Sequence, residues 1–161
     1  MRAYLMSLAV CVPALLASCT NNNPTVPSDQ VGKADAVGAA AVNKDRILNA
    51  AKEPGSWLTV GGDYDEQRFS QLDKLNETNV SQLGLAWYSD IDTERGQEST
   101  PVVVDGVMYL TTAWSMVKAY DIHSGAKLWE YDPKIDRAKG ADACCDVVNR
   151  GVAIWEGMIY L

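Results

Sequence analysis

Two cysteines stand side by side at Cys144 and Cys145, inside the run GADACCDVVNRG, and Arg150 follows them in the same run. Oxidised to one another, they would close an eight-membered ring across a single peptide bond. Adjacent Cα atoms are about 3.8 Å apart across a trans peptide and about 2.9 Å across a cis one. Ordinary disulfides span roughly 4.4–6.8 Å. Such a ring is strained, and strained groups collect at functional sites. The alternative is two unpaired thiols. A metal centre fits less well, because the single histidine, His123, is far off in sequence and the chain has no second cysteine pair.

The chain that must position these groups has 161 residues, enough for one modest domain. It carries 14 Lys+Arg against 21 Asp+Glu, a net charge of −7, with no basic stripe, which argues against a nucleic-acid partner. Residues 1–18 read as a signal peptide: Arg2 supplies a positive start, Leu5 to Leu16 an apolar stretch, and Ala17 and Ser18 small residues. The stretch is too short to span a bilayer as a stable anchor. LASC at Leu16–Cys19 resembles a bacterial lipobox, in which Cys19 is lipidated and tethers the protein to a membrane. An ordinary cleavage with Cys19 incidental is the other reading. An oxidising compartment permits disulfides, so export favours the Cys144–Cys145 bridge over free thiols.

Residues 19–42, rich in Asn, Pro, Ser, Ala and Gly, read as a flexible tether. From residue 43 to 161 the chain reads as β structure after two short helical turns, one capped by Asn43 and one by Asn76. Strands are expected over Leu85–Ser89, Pro101–Val104, Val107–Thr112, Val117–Asp121, Lys127–Tyr131, Gly151–Trp155 and Met158–Leu161. Asp105-Gly106 and Glu156-Gly157 mark two-residue hairpin turns. VVVDGVMYL and VAIWEGMIYL form an internal repeat, with Gly106 and Gly157 offset by 51 positions (157 − 106). A period near 40–50 residues with about four strands per unit signals a β-propeller. The second repeat has only begun at Leu161, so the sequence reads as the N-terminal part of a longer propeller. Trp114 and Trp155 read as packing residues, and His123 as a solvent-exposed turn residue.

The segment AYDIHSGAKLW places Ala119, Asp121, Gly125 and Trp129 in the pattern A-x-D-x-x-x-G-x-x-x-W, the tryptophan motif of quinoprotein propellers. The stretch from Trp57 to Leu161 resembles the N-terminal part of the pyrroloquinoline quinone (PQQ) dependent alcohol dehydrogenases. Four runs carry the likeness: GGDYDEQRFSQLDKLNETNVSQLGLAW, GQESTPVVVDGVMYL, AYDIHSGAKLWEYDPKIDR and CCDVVNRGVAIW. The segment DPKIDR followed by the cysteine pair is most similar to the quinohaemoprotein members, which carry haem c in a C-terminal cytochrome domain.

The resemblance implies an all-β fold, an eight-bladed propeller when complete. This chain would hold the N-terminal strand, the first blade and the start of the second. It implies that Cys144 and Cys145 form a vicinal disulfide against one face of PQQ, that Glu98 in GQESTP hydrogen-bonds the cofactor, and that Arg150 pairs with a PQQ carboxylate. Each role suits a flat tricarboxylate ortho-quinone. A rigid disulfide edge is a polarizable wall, and a guanidinium fork matches a carboxylate. A Glu beside an anion must accept a cofactor N–H or be held protonated. The resemblance further implies a periplasmic enzyme that oxidises alcohols to aldehydes, with Ca²⁺ as Lewis acid, an Asp base, and a cytochrome c as electron acceptor. The base and the Ca²⁺ ligands are expected beyond Leu161, so no catalytic or metal residue is assigned here and the chain alone is expected to be inactive. The competing reading is a non-enzymatic outer-membrane lipoprotein propeller serving as an assembly scaffold, which has no need of Cys144, Cys145, Arg150 and Glu98.

Overall fold

Alternating apolar residues on either side of tight turns build the main sheet. The structure, a computed structural model, describes residues 40–161; the expected signal peptide, Cys19 and most of the tether lie outside the described residues. Strands β1 (Val102–Val104), β2 (Val107–Thr112), β3 (Met116–Asp121) and β4 (Lys127–Tyr131) form one antiparallel sheet in sequence order. Strands β5 (Ala153–Trp155) and β6 (Met158–Tyr160) form a separate hairpin. The two hairpin turns repeat one another in backbone as they do in sequence. Asp105 and Gly106 have φ of 51° and 80°, and Glu156 and Gly157 have 47° and 80°. Positive φ at both central residues is what a two-residue turn needs to match strand twist.

Period-two alternation turns Val102, Val104, Val107 and Tyr109 into the core, where they meet Val117, Ala119, Leu58, Ile47, Val152 and Ile154. The tryptophan motif acquires a packing reason here. Ala119 pairs with Tyr109 on one side and Trp129 on the other. The two rings meet over it, 5.9 Å between centroids and tilted by 48°. A larger side chain at Ala119 would part them. All five residues of β4 are exposed, so Trp129 shows its outer face.

Helix α1 (Lys44–Leu48) begins where expected, with the Asn43 side chain accepting the Arg46 N–H at 2.9 Å. Arg46 then binds Glu53 and the Asp105 carboxylate, fastening the helix to the β1–β2 turn. Two expectations are corrected. Ala40 and Val42, assigned to the end of the tether, lie in the core, and their carbonyls accept the N–H groups of Gly157 and Glu156 in the β5–β6 turn. Leu85–Ser89 is not a strand, because no ladder pairs with it among the described residues. It is held by side chains instead: Trp87 donates to the Ile122 carbonyl at 2.9 Å and stacks on Tyr120. His123 is exposed, as its place in the turn predicts.

Candidate functional site

The site forms at the end of the sheet where β1 starts, β2 ends and β3 starts. Three loops meet there: residues 95–100 before β1, the β2–β3 connection at Ala113–Ser115, and residues 143–151. Backbone and side-chain bonds knit them. The Thr100 N–H donates to the Arg150 carbonyl at 3.1 Å, and the Trp114 N–H to the Val147 carbonyl at 2.8 Å. The Thr111 N–H donates to Ser99 Oγ at 3.0 Å, and Thr111 Oγ1 to the Asn149 carbonyl at 3.1 Å. Asn149 Nδ2 donates to Ser115 Oγ, while its Oδ1 accepts the Gly151 N–H. Gly151 has φ +135°, and a Cβ there would stand 3.1 Å from the Thr100 carbonyl oxygen, so the close crossing of these two strands of loop needs glycine.

Within this frame, the sequence-derived site residues come together. Cys144 and Cys145 are exposed free thiols with their Sγ atoms 2.8 Å apart. Arg150 Nε donates to Glu98 Oε2 at 3.1 Å, so two residues 52 positions apart in sequence are direct partners. Cys144, Cys145, Asp146, Val148, Asn149 and Arg150 line an open depression of about 410 Å³. The hydrogen bond with Cys144 pushes the Cys145 thiol pKa up, burial and the Glu98 charge add to this, and the Arg150 charge opposes it.

Further residues belong to the site that their sequence positions did not announce. Arg95 Nη1 meets Asp146 Oδ1 at 2.7 Å. The Trp114 ring meets two guanidinium groups, Arg137 at 4.5 Å from its centroid and Arg95 at 5.8 Å. Trp114, Ser115 and Asp146 all have left-handed backbone, with φ of 66°, 53° and 68°. The Asp146 pKa is held below the usual carboxylate range, chiefly by the Val147 N–H, with Arg95 and the Gly96 N–H contributing. The one available signal was that Asp146 directly follows the cysteine pair.

The depression is suited to a flat anion. It offers a pair of sulfurs as a wall and an exposed guanidinium that uses only Nε for Glu98, leaving its two terminal nitrogens without a partner among the described residues. The family model for the β-propeller domain of PQQ glucose/ethanol/alcohol dehydrogenases matches residues 57–159. The chain belongs to this family. A relative named quinohemoprotein alcohol dehydrogenase ADH-IIG, from Pseudomonas putida, is 47% identical over 157 residues, which is 98% of this chain and 20% of the relative. The crystal structure of quinohemoprotein alcohol dehydrogenase from Comamonas testosteroni is 51% identical with a TM-score of 0.73, covering 78% of this chain and 19% of that one. A europium-containing methanol dehydrogenase is 40% identical with a TM-score of 0.65, covering 71% of this chain and 20% of that one. The chain spans about a fifth of the length of the curated relatives it matches. The expected all-β propeller fold is thus established, with β1–β4 as one blade of the PQQ dehydrogenase propeller and β5–β6 as the opening hairpin of the next. No group of three or more His, Cys, Asp or Glu among the described residues could hold a metal ion.

Proposed function

We propose that this chain is the N-terminal, cofactor-holding segment of an exported PQQ-dependent alcohol dehydrogenase. The observation that carries the reading is the open depression lined by Cys144, Cys145 and Arg150, with Glu98 bonded to Arg150, in a chain of this family. When bound, PQQ supplies an ortho-quinone able to take two electrons from an alcohol carbon. The residues here do the holding. Arg150 presents its terminal nitrogens to a carboxylate. Glu98 fixes the Arg150 guanidinium from behind and offers its free oxygen to a cofactor donor. The cysteine pair, bridged in the exported protein, forms the wall.

The rest of the chemistry is assigned to chain beyond this segment. A Ca²⁺ Lewis acid and an Asp base would be held there, and the reduced cofactor would pass electrons to a cytochrome c, with haem c in the same polypeptide or a partner. The relatives named quinohemoprotein alcohol dehydrogenase support that reading, as does one named 1-butanol dehydrogenase (cytochrome c). The europium-containing relative supports a metal beside the cofactor. The signal-like residues 1–18 support a periplasmic location, and LASC supports lipidation at Cys19. The scaffold alternative finds no support, since the matched family and relatives are dehydrogenases.

The test uses the protein that carries this segment, purified without cofactor. Alcohol-dependent reduction of an artificial electron acceptor should appear only after PQQ and Ca²⁺ are added. The isolated 161-residue chain should show none. Alcohol oxidation without PQQ, or none with it, would overturn the reading.

A further inference from the structure

Arg95 is joined to the cofactor-facing residues without being one of them. It stands three residues before Glu98, and its partner Asp146 stands four before Arg150. The loop before β1 and the cysteine loop are therefore tied twice, by Arg95–Asp146 at 2.7 Å and by Glu98–Arg150 at 3.1 Å. The first tie sits directly after Cys145, on a residue with φ +68°. That left-handed turn determines how the chain leaves the cysteine pair. The Asp146 carboxylate ties that turn to the Arg95 guanidinium, and the adjoining Val147 carbonyl accepts the Trp114 N–H.

Arg95 is itself restrained. Its guanidinium lies over the Trp114 ring, which also meets Arg137, and the Trp114 backbone N–H donates to the Val147 carbonyl. The cation–π contact and the carboxylate bond use the same rigid group, which reduces the freedom lost in holding it.

Building on the PQQ reading above, we propose that Arg95 is a positioning residue for the cofactor wall. Through Asp146 it keeps the peptide after Cys145 in its left-handed conformation, and so sets where the two sulfurs face the depression and where Arg150 meets Glu98. Without it, Asp146 relaxes toward ordinary backbone, the sulfurs turn, and the site loses its shape while the sheet beneath remains.

The experiment titrates PQQ into the cofactor-free protein that carries this segment, following quenching of tryptophan fluorescence, for wild type, Arg95→Ala, Asp146→Asn, the double variant and Arg95→Lys. The thermal midpoint of each cofactor-free protein is measured alongside. Each of the first two variants should raise the Kd about tenfold, and the double variant no further than the larger single effect, as expected of residues acting through one contact. Arg95→Lys should return to within about threefold of wild type, keeping the charge but not the guanidinium fork. The thermal midpoints should stay put. An unchanged Kd in Arg95→Ala, multiplying effects in the double variant, or Kd losses that merely track thermal stability would each overturn the proposal. If Arg95→Ala does not fold, Asp146→Asn and Arg95→Lys decide it by the same criteria. A wild-type protein that takes up no PQQ would sink the cofactor reading itself, and this inference with it.

Discussion

Arg150 Nε donates to Glu98 Oε2 at 3.1 Å, bringing together one residue from the loop that precedes the first blade in sequence and one from the loop that follows it. Their side chains are 79% and 45% exposed, so the pair contributes little to folding, at most about 1 kcal/mol. Its arrangement matters more to a ligand, because Arg150 lines the depression and bonds Glu98 through Nε alone.

It follows that Arg150→Ala separates binding from stability. Charge-assisted bonds to an anion are worth about 1.5–3 kcal/mol, so the Kd for PQQ should rise roughly tenfold to a hundredfold. Arg150→Lys should recover only part of this, since an ammonium lacks the fork. The thermal midpoint of the cofactor-free protein should barely move. Titration and thermal melting on the same preparations check both halves, and a large loss of stability would show that Arg150 serves the fold instead.

Gly125→Ala tests the blade. Gly125 sits at φ +71°, and a Cβ there would come within 2.6 Å of the Trp87 ring. Left-handed backbone costs an L-residue roughly 1–2 kcal/mol, and overpacking adds about 1–3 kcal/mol. The variant should therefore melt clearly below wild type, with Trp87 fluorescence shifted as the ring is displaced from Tyr120. An unchanged midpoint would mean that the contact between the 84–90 segment and the β3–β4 turn yields freely.

These two cases show what could be read from sequence. Asp105-Gly106, Glu156-Gly157 and the tryptophan motif were legible because turn chemistry is local: the residue types state the φ values they need. The proposed cofactor residues rest on resemblance alone, as nothing local links Glu98 to Arg150. The Leu85–Ser89 segment misled because its β-formers look like a strand, whereas a strand also needs a ladder partner, and here Trp87 and Ser89 bond to side chains and turns instead. Ala40 and Val42 were hidden by the small, unpatterned residues around them. Arg95 and Trp114 gave no signal, because their roles arise from left-handed backbone and a partner 51 positions away.

Asp121 gives the tryptophan motif a pH signature. Its carboxylate accepts the Ser124 N–H at 2.7 Å, the Ser124 hydroxyl at 2.8 Å and the His123 N–H at 3.1 Å. Those bonds, Ser124 first, hold its pKa below the usual carboxylate range. A lowered folded pKa means stability that is present above about pH 3.9, the ordinary aspartate value, and is lost as pH falls through the lower folded value. Wild type should thus melt above Asp121→Asn at about pH 7, and the gap should narrow as pH falls below about 3.9. Melting curves across that range check the sign, and a gap that widens on acidification would contradict it.

The cysteine pair makes the last prediction, one that distinguishes its two redox states. Exported protein should carry Cys144 and Cys145 bridged to each other. Mass spectrometry of the peptide spanning them should then show the loss of two hydrogens, and iodoacetamide should label neither residue until reductant is added. Once reduced, the pair becomes two exposed thiols in contact, and the hydrogen bond between them raises the Cys145 pKa. Only the thiolate reacts. Cys145 should therefore alkylate more slowly than an unperturbed cysteine near neutral pH, and its rate should rise over a pH range above the ordinary thiol value of about 8.5. Arg150→Ala should shift that range further upward, because the Arg150 charge is what favours the thiolate. Ready labelling before reduction would sink the bridge. Labelling of the reduced protein faster than that of a free cysteine would show that Arg150, and not the neighbouring thiol, dominates the environment of Cys145.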